Sequence, residues 1–135
     1  MTFSSVITAF RNLNYQYTGV VDYLNRIYNS KRVCNADLAE VAERVAQEIN
    51  CSFAHNMREK TEDGYVWFGS MEFIIDRTRI HILFPWAQDW EHPESRLDRS
   101  IEVYARRSIP KERIKQLTEI IADNMMSKCL PNHSL

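Results

Sequence analysis

Two apolar segments joined by a short polar one constrain the fold of this sequence more than any other feature. The segments are "YVWFGSMEFII" and "IHILFPW", and "DRTR" joins them. Both are rich in β-branched and aromatic residues, which favour strands, and the polar joint favours a reversal of the chain. The sequence therefore predicts an antiparallel β-hairpin over residues 65–86.

The apolar pattern also predicts which side chains of the hairpin share a face. When Asp76 is placed opposite Arg79, every pair on one face is apolar or glycine: Ile75 with Ile80, Phe73 with Ile82, Met71 with Phe84, and Gly69 with Trp86. A slip by one residue would mix the two faces, so the pattern fixes the parity of the register. Arg77-Thr78 is a poor dipeptide for a primed turn, and a longer turn of the same parity fits equally well.

Helical spacing of apolar residues appears on both sides of the hairpin. The first thirty residues predict two short helices broken near Gly19, followed by a loop at "NSKRVCN". A helix is expected over residues 36–50, with Asn35 as N-cap and Asp37 in its first turn. Another is expected in "SIPKERIKQLTEIIADNMMSK", with Pro110 early in the helix, Pro131 ending it, and a buried stripe of Ile114, Leu117, Ile121 and Met125.

Two further strands are expected. "CSFAHNMREK" precedes the hairpin and is followed by a turn at "TEDG", and "RSIEVYARR" follows the hairpin. In the second of these, Ile101, Val103 and Ala105 fall on one side, with Glu102, Tyr104 and Arg106 on the other.

These elements predict a single α+β domain over residues 1–135. It has N-terminal helices, an antiparallel sheet of three or four strands, and a C-terminal helix packed on the sheet. A chain of 135 residues can bury a core without disulfides. Three cysteines without a close pair, no membrane-length apolar run and no signal peptide favour the cytoplasm. The formal net charge of −1 argues against nucleic-acid binding through bulk charge.

The face of the sheet opposite the core is expected to mix apolar, aromatic and charged side chains, which is the composition of an interface. Trp90, in the acidic stretch "WAQDWEHPE", either covers the core or forms a hot spot for a partner. We therefore expect a small non-enzymatic binding or regulatory protein, for example an inhibitor, that contacts a protein partner or its own second copy. Homodimerisation would bury Phe68, Ile74 and Leu83, which otherwise stand in water. The predicted partner-binding residues are Phe68, Glu72, Ile74, His81, Leu83, Trp90 and Tyr104.

Basic residues around "YARRSIPKER" give a second hypothesis. Arg106, Arg107 and Lys111 would surround the N-terminus of the last helix, where charge and dipole favour an anion, and Arg79 would add its charge from the polar face of the sheet. The anion would belong to a nucleotide or a nucleic acid. The chain lacks the glycine-rich loop of a phosphate-binding fingerprint.

A third hypothesis is a small acid–base enzyme in which His81 works with Glu72 or Glu102, because neighbouring carboxylates can raise the basicity of a histidine. The four histidines are scattered along the chain, so no metal site is expected, and no motif calls for a cofactor. A helix-turn-helix reading fails because helix 36–50 is acidic and would face DNA phosphates.

Overall fold

An antiparallel sheet covered on one face by helices forms the core of the protein. The computed structural model describes residues 11–60, 66–85, 100–128 and 130–131. Residues 11–13 are helical. The remaining elements are β1 (Tyr15–Tyr17), α1 (Asp22–Ser30), β2 (Lys31–Arg32), α2 (Asn35–Ile49), β3 (Ser52–Lys60), β4 (Val66–Ile75), β5 (Thr78–Pro85), β6 (Glu102–Ala105), α3 (Lys111–Lys128) and β7 (Leu130–Pro131).

Five strands pair in the order β1-β6-β5-β4-β3, with every pair antiparallel. α3 packs against α1 and α2, and α2 lies on β3 and β4. Alternate strand residues such as Phe73, Ile82 and Val103 are fully buried beneath these helices. The predicted α+β fold is confirmed, including the buried stripe of the last helix.

The strongest helix prediction is confirmed with a correction at its start. α2 begins at Asn35, and its N-cap is Cys34 instead of Asn35. The Asp37 carboxylate accepts a hydrogen bond of 3.0 Å from the Cys34 backbone N–H. An acid at this position therefore satisfies a donor that the helix itself leaves unpaired.

The hairpin has the predicted parity, but its register differs by two residues. Arg79 lies opposite Ile74 instead of Asp76, and Phe73 lies opposite Ile80 instead of Ile82. The turn is a tight one in which Asp76 and Arg77 have φ values of 51° and 64°. Both therefore adopt the left-handed conformation of a two-residue type I′ turn, which the dipeptide composition does not favour.

The N-terminal third contains a strand that the sequence does not reveal. α1 matches the second predicted helix, while Tyr15–Tyr17 pairs with β6. The Tyr17 hydroxyl lies 2.6 Å from the carbonyl oxygens of Arg106 and Ile109, which ties β1 to the chain after β6. Gly19, with φ of 78°, redirects the chain toward α1.

The expected loop at "NSKRVCN" contains β2, which pairs with β7 after the last helix. Pro131 therefore lies in a short strand instead of ending the helix directly. The rest of the first predicted helix, the turn at "TEDG" and residues 132–135 lie outside the described residues.

Candidate functional site

The face of the sheet opposite the helices, called here the second face, carries the side chains that the sequence assigns to a binding surface. Gln16, Tyr104, His81, Glu72 and Ala54 form one row across the five strands. Glu72 lies directly opposite His81, where the predicted register makes them diagonal neighbours. Ile74 and Leu83 lie on the same face, so the predicted grouping of these residues is confirmed.

The central part of the second face is buried within the chain. Leu83 is 0%, His81 3% and Tyr104 5% exposed. The expectation that Leu83 stands in water is therefore wrong, and these three side chains offer no surface to a partner in this structure. The side chain of Phe68 and all of Trp90 lie outside the described residues. Of the predicted partner-binding set, Glu72 and Ile74 remain accessible.

Burial decides the chemistry of His81. Desolvation, followed by the positive charge of Arg79, lowers the pKa of His81 to about 4. The imidazole is therefore neutral at pH 7, although Glu72 is its cross-strand neighbour. This direction is opposite to the raised basicity on which the acid–base hypothesis rests.

A polar cluster fixes residue Arg11 to the second face. The Tyr104 hydroxyl donates a 2.5 Å hydrogen bond to Glu102, and Arg11 Nε donates to the same hydroxyl at 3.2 Å. The Arg11 guanidinium also lies 3.4 Å from the Glu102 carboxylate. Burial, and then the hydrogen bond to Glu102, raises the pKa of Tyr104 to about 12. The hydroxyl stays protonated at neutral pH, so the cluster acts as a structural tie.

An open concavity of about 450 Å³ lies at one end of the second face. The cross-strand partners Ile74 and Arg79 line it, and its other arginines come from the hairpin turn and from the residue after β6. Leu13 is 85% and Ile74 43% exposed, so two large aliphatic side chains face solvent beside the cations. We call this site the arginine concavity; its lining residues are Leu13, Asn14, Ile74, Arg77, Arg79 and Arg106.

The positive charge of the arginine concavity is only partly neutralised. Arg79 Nε lies 2.9 Å from a Glu72 carboxylate oxygen. In the described part of the chain, no carboxylate lies within 4.0 Å of Arg77 or Arg106. Their guanidinium groups present planar sets of N–H donors that match a carboxylate or a phosphate.

Of the four residues predicted to bind an anion, two line the arginine concavity. Arg79 and Arg106 line the concavity, whereas Arg107 stacks on the Tyr15 ring at 4.4 Å and the Lys111 ammonium lies beside Gly19. Sequence reasoning missed Arg77 and Leu13. Arg77 lies two residues from Arg79, and this spacing across a tight turn was the available signal.

Among residues 11–60, 66–85, 100–128 and 130–131, no group of three or more His, Cys, Asp or Glu side chains is placed to hold a metal. None of the helices described is both long and apolar enough to cross a membrane. Comparisons with protein-family models, with curated protein sequences and with solved structures give no match to this chain.

Proposed function

We propose that the protein is a non-enzymatic binding protein whose arginine concavity holds an acidic segment of a partner protein. One observation carries the proposal. Three guanidinium groups and two exposed aliphatic side chains line one open concavity at an end of the second face. Arginine beside apolar side chains is a composition enriched where proteins bind one another.

The aliphatic side chains favour an acidic peptide over a nucleic acid. Leu13 and Ile74 can bury apolar side chains of a peptide while the arginines pair with its carboxylates. Single-stranded nucleic acid is usually held by aromatic side chains that stack on its bases. Tyr104 on this face is 5% exposed, so its ring offers no such platform.

The other hypotheses fit the geometry less well. Homodimerisation through the whole second face would need Leu83, His81 and Tyr104 at the surface, and all three are buried. Acid–base catalysis would need His81 in contact with a substrate and able to exchange protons near neutral pH. Its burial and lowered pKa oppose both requirements.

Fluorescence anisotropy with defined probes tests the proposal. The probes are a labelled peptide of Glu-Glu-Leu repeats, the same peptide with Gln for every Glu, and a labelled oligothymidylate of similar length. We expect the acidic peptide to bind and the Gln peptide to bind far less, with affinity falling as salt is added. The variant Arg77→Ala/Arg106→Ala should lose at least about tenfold in affinity, because each charge-assisted hydrogen bond contributes roughly 1.5–3 kcal/mol.

The matched control is Arg26→Ala/Lys115→Ala, which removes two exposed positive charges from α1 and α3. This variant should bind the acidic peptide like the unmodified chain. An equal loss of affinity in both double variants would show that the peptide binds through the overall charge of the protein, and this result would overturn the proposed site. Binding of the oligothymidylate without binding of the peptide would replace the proposal with the nucleic-acid hypothesis.

A further inference from the structure

A second surface, away from the arginine concavity, lies along the outer edge of the sheet. β3 pairs with β4 on one side, and no strand in the described part of the chain pairs with its other side. β3 is nine residues long. An open strand edge of this length presents unpaired N–H and C=O groups that can pair with another strand.

The first half of this edge suits pairing with itself. Residues 52–56 read Ser-Phe-Ala-His-Asn and include no carboxylate, lysine or arginine. Burial lowers the pKa of His55, so this histidine is neutral at pH 7. Antiparallel pairing around a two-fold axis would therefore place no like charges opposite each other.

A groove of about 650 Å³ runs beside the same edge, between α2 and β3. The Phe53 side chain lines this groove and is 41% exposed, which is unusual for a large aromatic residue of a sheet that packs under helices. The helix residues that line it form one stripe, with alanines that allow a close approach of another helix. They are Ala36, Ala39, Glu40, Glu43, Arg44 and Gln47.

The charges along this stripe are complementary under a two-fold axis. Glu40 pairs with Lys128 at 2.8 Å, while Arg44 Nε lies 3.8 Å from Glu40, near the limit of an ion pair. In the described part of the chain, no cation lies within 4.0 Å of Glu43. A two-fold axis beside α2 would place Glu43 of one copy next to Arg44 of the other. The same axis places Arg44 of the first copy next to Glu43 of the second, so the ion pair forms twice.

We propose that the protein forms a two-fold dimer in which the β3 edges of two copies pair antiparallel and their α2 stripes pack across the axis. The two five-stranded sheets then form one continuous sheet. Stable interfaces bury roughly 1,200–2,000 Å² in total, so the strand edge and the helix stripe must both contribute. The partner at this surface is a second copy of the chain, because one surface supplies both the uncharged half of β3 and the opposite charges of Glu43 and Arg44.

Sedimentation velocity of the full chain from roughly 1 to roughly 200 µM tests the dimer, because its population follows mass action. Phe53→Lys should weaken the dimer at least about tenfold, since it sets two like charges near the axis. Glu43→Arg and Arg44→Glu should each weaken it by a similar factor. The double variant Glu43→Arg/Arg44→Glu should restore it to within about threefold, because the reciprocal pairs form again with reversed sign.

Lys115→Glu is the matched control for Arg44→Glu, since it makes the same charge change on an exposed position of α3. It should leave the dimer unchanged. Far-ultraviolet circular dichroism of each variant shows that its fold is retained. Hydrogen exchange gives a second measurement that needs no substitution: the amides of residues 52–56 should be more protected at high than at low protein concentration.

A chain that stays monomeric at every concentration would overturn the dimer. A dimer that tolerates all three single variants, or that the double variant does not restore, would place the interface elsewhere and also overturn the proposal. Protection of residues 52–56 in a monomer only after the Glu-Glu-Leu peptide is added would show that the edge takes a foreign strand. The first two results leave the test of the arginine concavity intact, because the two surfaces share no lining residue. In the third, Arg77→Ala/Arg106→Ala shows how much of the peptide binding belongs to the concavity.

Discussion

Two effects of the same sign decide what His81 can do. Burial, and then the positive charge of Arg79, favour the neutral imidazole and lower the pKa of His81 to about 4. Glu72 lies directly across the strand pair and does not reverse this shift. The pairing of His81 with Glu72 was within reach of sequence reasoning. Its burial was not, because the apolar pattern of the hairpin does not show whether its second face is covered.

The lowered pKa of His81 predicts that the folded state loses stability in mild acid. As the pH falls below roughly 6.5, the unfolded chain takes up a proton at this histidine while the folded chain does not. Stability therefore falls until the pH reaches the folded-state pKa of about 4, where the loss from His81 levels off. A shift of this size corresponds to about 3 kcal/mol.

Urea unfolding at several pH values between these limits measures this loss of stability. His81→Asn removes the titrating group and should abolish most of the pH dependence, with a smaller part left from His55, whose pKa burial also lowers. Equal pH dependence in the variant and the unmodified chain would contradict the account of His81.

The elements that the sequence reveals are those long enough to show a period. α2, α3 and the hairpin strands each carry an apolar pattern over eight or more residues and are predicted to within a few positions. β1 and β2 span three and two residues, too short to show alternation. The hairpin register differs from the predicted one by two residues, because the turn lies at Asp76 and Arg77, whose side chains disfavour the left-handed conformation it requires.

The left-handed conformation of this turn predicts that Arg77→Gly makes the fold more stable and binding of the peptide weaker. Arg77 has a φ of 64°, and a residue with a side chain loses roughly 1–2 kcal/mol in this left-handed conformation, which glycine adopts freely. After the entropy cost of glycine, we expect the variant to be about 0.5–1 kcal/mol more stable in urea unfolding. It should also bind the Glu-Glu-Leu peptide more weakly, because a guanidinium of the concavity is lost.

Thr78→Gly is the control for this substitution, because Thr78 begins β5 and needs no left-handed backbone. It should lower the stability by roughly 0.5–1 kcal/mol. A loss of stability in Arg77→Gly as well would show that contacts of the arginine outweigh the conformational cost at the turn.

At the scale of the whole molecule, the net charge of the chain does not reveal the arginine concavity. The net charge is −1, whereas the concavity gathers arginines locally, where the ends of β1, β5 and β6 and the hairpin turn meet. Ile74, Arg79 and Arg106 follow from strand alternation and were predicted. Leu13 and Arg77 lie outside regular strands. The spacing from Arg79 gives a sequence signal for Arg77, whereas only the three-dimensional path of the chain brings Leu13 to the site.

The two proposals together predict a geometry for bivalent binding. A two-fold axis that relates antiparallel β3 edges is perpendicular to the sheet, so both concavities open on the same side. Each lies about three strands from the axis, and at roughly 4.8 Å per strand the two are separated by roughly 30 Å. A flexible Gly/Ser linker of about 30 residues has a matching average span.

Two Glu-Glu-Leu peptides joined by such a linker should therefore bind the dimer at least about tenfold more tightly than one peptide, because the second binding step is intramolecular. Anisotropy with both probes measures the gain at protein concentrations above the dimer dissociation constant. Phe53→Lys should abolish the gain and leave the affinity for the single peptide unchanged, since Phe53 lines the groove beside α2 and not the concavity. A gain that persists in this variant at a concentration where sedimentation shows it to be monomeric would mean that both peptides bind to one chain, which would refute the arrangement of the concavities across the axis.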